Sequence, residues 1–132
     1  MPQVLDRDQA RAVGTGLAAL RLAIGVLALA APGVALRPWV GKVAEDAGGR
    51  LLGRSLGARD AALGAGAILA ARHDTPVRGW IEGGALSDAG DLVATLIAFK
   101  RLPRVTRWGV LLMTLGAVVA GGIVAPCIDE GD

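Results

Sequence analysis

Apolar residues run through this chain in four long stretches, at 12–31, 50–71, 79–99 and 105–125, parted by short segments that collect prolines and charges. Each stretch is close to the ~20 residues that a helix rising 1.5 Å per residue needs to cross a hydrocarbon core of ~30 Å. The pattern predicts an all-α fold, a polytopic membrane four-helix bundle in which residues 1–132 form a single transmembrane domain. Pro32, Pro38, Pro76, Pro103 and Pro126 all fall outside the stretches, where a missing backbone N–H leaves no helical bond unmade. Trp39, Trp80, Phe99 and Trp108 sit near the stretch ends, the depth at which an amphipathic ring prefers to lie in a bilayer. Segment 32–49 places Trp39, Val40, Val43 and Ala44 among Lys42, Glu45 and Asp46, which fits a short helix lying in the interface.

The first stretch has a rival reading. Arg7 and Arg11 could form the basic region of a cleavable signal peptide, and Ala28-Leu29-Ala30 resembles a cleavage site. Arg21 cuts the apolar run at its middle, so the stretch is expected to be retained as a span.

Composition agrees with a membrane helix bundle. Hydrophobic residues make up 53% of the chain, 20 of its 132 residues are glycine, and mean hydropathy is +0.52, too apolar for an ordinary soluble fold of this size. The net charge of +2 does not point to nucleic acid, because the basic residues form no stripe interleaved with aromatics. They gather between the apolar stretches. One side of the expected bundle, with both termini, carries Arg7, Arg11, Arg72 and Arg78, whereas the other carries Arg37, Lys42, Arg50, Lys100, Arg101, Arg104 and Arg107. The positive-inside rule then places the linkers in the cytoplasm and the termini outside. The single cysteine, Cys127, has no partner for an intrachain disulfide.

Charges inside the stretches carry the candidate chemistry. With midpoints near residues 21, 61 and 89, Arg21, Arg59, Asp60, Asp88 and Asp91 lie within ~5 Å of a common midplane, and Arg54 lies ~10 Å away. Each ion facing lipid would cost at least ~2.5–3.5 kcal/mol, so the three cations and three anions are expected to face inward as one neutral cluster. Asp88, Asp91 and Thr95 share a face of the third helix with Gly84. Arg59, then Arg54, are the expected partners of Asp88. His73, beside Asp74, reads as a solvated turn residue.

Small residues align with these charges. Gly14, Ala18, Arg21 and Gly25 share one face of the first helix, and Gly53, Gly57, Asp60 and Gly64 share one face of the second. Gly49, Gly53 and Gly57 step by four, as do Gly79, Gly83 and Ser87, which allows the close backbone approach that membrane helices use to associate. The last helix reads as apolar packing, loosened near its end by Gly121 and Gly122.

Gly53-Arg54, Gly57-Ala58-Arg59-Asp60 and Leu63-Gly64, followed by Trp80, Ser87-Asp88 and Asp91, resemble a family of small bacterial and fungal four-helix membrane proteins of unknown function. The resemblance spans residues 12–125 and implies a fold but no activity. The chain is more distantly similar to DoxX-like four-helix proteins. Small multidrug transporters are a poor match, because their essential acid lies in the first helix, where this chain has Arg21.

Three functional readings follow. The first is a non-catalytic accessory subunit or scaffold, its bundle held together by the charge cluster. The second is a proton- or solute-binding carrier that uses the same residues. A cavity beside the cluster would favour the carrier, and a dry, close-packed knot would favour the scaffold. An enzyme is the third reading, for which no nucleophile–base pair, metal set or cofactor motif is visible. The expected partners are the lipid bilayer and another membrane protein or a second copy of the chain.

Overall fold

A computed structural model describes residues 5–128, and every regular element among them is helical. Five α-helices follow in order: α1 (Arg7–Ala30), α2 (Pro32–Val40), α3 (Ala47–Arg72), α4 (Arg78–Ala98) and α5 (Arg107–Ile128). Short 3-10 turns at Gly41–Glu45 and Phe99–Arg101 extend α2 and α4. Helices α1 and α5 are each long and apolar enough to cross a membrane.

Local chemistry sets these boundaries. Helix α1 starts before the apolar run, because Asp6 accepts from the Gln9 backbone N–H at 2.8 Å while the Gln9 side chain accepts from the Asp6 N–H at 3.2 Å. This reciprocal cap satisfies two otherwise orphaned donors, so polar Arg7–Ala10 joins the helix. Pro32 then occupies the first position of α2, where proline's fixed φ suits a helix start. The segment expected to be an interfacial helix is therefore helical, though only over Pro32–Val40 and the following 3-10 turn.

Two proline expectations need correction. Pro38 lies inside α2 and Pro126 lies inside α5, which runs on to Ile128. Pro126 falls within the last turn, where a kink leaves little helix to disrupt.

The four long helices pack in the ring order α1, α3, α4, α5 and back to α1. Gly25 faces Gly57 and Ala18 faces Gly64, so α1 and α3 run antiparallel along a seam of small residues. On the other side, Gly121 of α5 packs against Ala85 of α4: a Cβ added at Gly121 would lie 2.8 Å from the Ala85 Cβ. Gly121 thus forms a contact and does not loosen the helix. Gly79 and Gly122, by contrast, have open space where a side chain would be, so the expected run Gly79–Gly83–Ser87 forms no comparable seam.

The buried apolar core is divided. One cluster, including Ala18, Ala67, Ile81 and Val124, fills the end of the ring where α1 starts and α5 ends. A smaller one, of Ala28, Leu36 and Ala44, lies under α2. Large aliphatic side chains mostly face outward, Leu86 at 76% and Ile97 at 83% exposure, while alanine and glycine fill the interior.

Candidate functional site

Between the two apolar clusters, midway along α1, α3 and α4, five charged side chains meet. Arg21 of α1 reaches Asp60 of α3 at 3.0 Å through Nη1 and Asp88 of α4 through Nη2. Arg59 of α3 grips Asp91 of α4 with both terminal nitrogens, at 3.1 and 2.7 Å, and its Nε donates to Asp60 at 3.1 Å. Such fork-to-fork pairing fixes geometry as well as charge. Asp60 therefore bridges the two arginines, and the network ties the α1–α3 pair to α4.

Gly84 makes the crossing possible. A Cβ at that position would lie 3.1–3.3 Å from the Nε, Cζ and Nη2 atoms of Arg21, so the guanidinium lies flat against the α4 backbone. Asp88 then meets it one helical turn further on.

Arg54 does not join the network. It is exposed, and its Nε donates at 3.3 Å to the Leu29 carbonyl in the last turn of α1, a group that a helix end leaves unpaired. The five-residue step from Arg54 to Arg59 is well over one turn, and it carries Arg54 around to another face of α3. Among the described residues Arg54 has no carboxylate partner. The expected pairing of Asp88 with Arg59 or Arg54 is also replaced, because Asp88 pairs with Arg21.

These differences change the charge balance. Three carboxylates face two guanidinium groups, which leaves one excess negative charge where three cations were expected to balance three anions. Asp88 is the open member. Asp91 takes two bonds from Arg59 and Asp60 receives both arginines, whereas Asp88 is held by one guanidinium through Oδ2 alone.

Thr95 lies on the same face as Asp88 and Asp91 but contacts no carboxylate. It is 2% exposed; its hydroxyl donates to the Asp91 carbonyl at 2.6 Å and accepts from the Trp39 indole N–H at 3.1 Å. The Trp39 indole is therefore turned toward the bundle, and it fastens α2 over the site. Its place near a stretch end gave no sign of this.

All five network residues line a cavity of about 410 Å³, with walls that are otherwise mainly apolar. Ala18, Ala67 and Ile81 close one end and Ala28 and Leu36 the other, so the cavity fills the gap between the two core clusters. Trp39 and Trp80 both border it. No group of three or more metal-ligating side chains is placed to hold a metal ion among the described residues. The site offers fixed charges and apolar walls, and among the described residues no nucleophile–base pair lines it.

Comparison with protein-family models, curated proteins and solved structures gave no match.

Proposed function

We propose that the chain is a multi-pass membrane protein whose four long helices all cross the bilayer, and that its central network binds a small solute or a proton. Charges keep α3 and α4 below the hydropathy of a plain span, but the four nearest their midpoints, Arg59, Asp60, Asp88 and Asp91, turn inward to the network, and the exposed ones, such as Arg50, Arg72 and Arg78, lie toward the helix ends. Their outer faces carry exposed Leu51, Leu52 and Leu69 on α3 and Leu86, Val93 and Ile97 on α4. Apolar side chains outside and small residues at the seams fit helices packed in lipid. The excess of linker cations supports cytoplasmic linkers and external termini.

The observation that carries the binding reading is the cavity itself, at whose wall Asp88 keeps one oxygen free of hydrogen bonds among the described residues. An ionisable group at this depth is costly unless it is paired or used, and pockets of this volume suit small ligands. The bidentate Arg59–Asp91 pair favours a second reading, an accessory subunit or scaffold in which the network only braces α3 against α4.

Fluorescence separates them. In a Trp108→Phe background only Trp39 and Trp80 report, and both border the cavity. Emission from protein in lipid nanodiscs should change as pH is varied, and Asp88→Asn should abolish the change while leaving the fold intact. A pH-independent wild type, with Asp88→Asn strongly destabilised, would support the scaffold.

A further inference from the structure

The cavity is walled tightly along α1–α3 and α4–α5 and more loosely on the other two sides, of which the α3–α4 side is bridged by an ion pair. The α1–α3 seam brings Gly25 and Gly57 into backbone contact, Gly121 locks α5 to Ala85 of α4, and Arg59 clamps Asp91 across α3 and α4. Between α1 and α5, glycine contact occurs toward one end, where Gly14 meets Val124 and Ile128. Further along, the facing residues line the cavity and are exposed at once. Leu20 and Ile24 of α1 are 59% and 45% exposed, and Met113 of α5 is 60% exposed. Gly116, beside them on α5, borders the cavity and has nothing within 4 Å of where a side chain would begin. The ring therefore has a lateral window at the depth of the charge network, rimmed by aliphatic side chains.

From this we infer that the ligand is an amphiphilic organic cation, with an apolar body and one positive charge, which enters from the bilayer between α1 and α5 and rests against Asp88. This rests on the binding reading above and adds the ligand's class and its route. A window with an aliphatic rim opening toward lipid admits molecules already dissolved in the membrane. The charged groups facing the cavity are Arg21, Arg59, Asp60, Asp88 and Asp91, and their sum of one negative charge selects a cation over an anion of the same shape. Apolar walls, which Trp39 and Trp80 border, take up the body.

Two probes of one shape and opposite charge test the claim. Tetraphenylphosphonium should bind the purified protein in nanodiscs, and tetraphenylborate should not. Asp88→Asn should weaken tetraphenylphosphonium binding at least about tenfold, since an ion pair a few ångströms apart in a protein interior is worth more than that. Gly116→Trp should slow association from the lipid, whereas Gly109→Trp, in open space on the same helix but away from the cavity, should not. Gly116→Leu, a smaller plug, repeats the test should the tryptophan disturb folding. Equal binding of both probes, or Gly116 variants that bind as fast as wild type, would overturn the inference. Failure to bind tetraphenylphosphonium while the Asp88-dependent tryptophan response persists would overturn the inference and leave the binding reading standing. Loss of both would remove both.

Discussion

Gly25 and Gly57 meet across the α1–α3 seam so closely that a Cβ built on either would lie 2.7 Å from the carbonyl oxygen of the other. The obstacle on both sides is backbone, which cannot rotate away as a side chain would. Helices that associate in lipid have little hydrophobic drive between them and depend on such approach.

Gly25→Ala and Gly57→Ala should each therefore lower stability by about 1–3 kcal/mol, the usual range for forced overpacking. Gly116→Ala, where nothing lies within 4 Å, should be neutral. Melting temperatures in mild detergent check the contrast. Equal tolerance at all three positions would mean that the seam is wrong.

The two arginines of α3 should behave differently. Arg59→Ala removes the grip on Asp91 and a contact to Asp60, and breaking a buried pair in this way costs ~3–5 kcal/mol. With side chains of 30% and 18% exposure, the Arg59–Asp91 pair should fall toward the lower end. Arg54→Ala loses one side-chain bond to the end of α1 and should cost about 1 kcal/mol. Chemical denaturation of the two variants gives the comparison.

Much of this arrangement was legible from residue spacing. Equal depth singled out Arg21, Arg59, Asp60, Asp88 and Asp91, and helical periodicity put Gly25, Gly57 and Gly64 on the facing stripes. Depth alone did not reveal direction: Arg54 is only five residues from Arg59, yet it points outward, and Asp88 found Arg21 because Gly84 leaves room for a guanidinium on the α4 backbone. Trp39 was hidden for another reason. Its inward turn depends on α2 folding back to bring the indole to Thr95, a long-range pairing with no local sequence signal. The cavity was hidden likewise, since it lies in the gap between two core clusters that residues from all five helices enclose.

The Trp39–Thr95 hydrogen bond fastens α2 over the cavity. Trp39→Phe keeps an aromatic ring but removes the donor, a loss of about 1 kcal/mol. Faster amide exchange should follow in Pro32–Val40, with little change in α5. Exchange followed by mass spectrometry tests this, and unchanged protection of α2 would show that the bond does not hold it.

Orientation has a direct reporter at His73, exposed at the same end of the ring as the start of α1 and the end of α5. Cys127 is only half-exposed, so His73→Cys in a Cys127→Ser background is the cleaner label site. An impermeant thiol reagent should label it from outside intact cells, as the excess of linker cations implies. Labelling only after the cells are opened would reverse the orientation.

The central claim is that Asp88 is the network's spare carboxylate, held ready for a ligand. Removing its charge leaves Asp60 and Asp91 opposite Arg21 and Arg59, two against two, so Asp88→Asn should stay within about 1 kcal/mol of wild type, the scale of a single net hydrogen bond. Asp91→Asn instead deprives Arg59 of its bidentate partner and should lose ~3–5 kcal/mol. The decisive measurement is the stability of these two variants side by side in the same detergent. A small loss at Asp88 with a large one at Asp91 is the expected result, and an Asp88→Asn loss as large as that of Asp91→Asn would contradict the account.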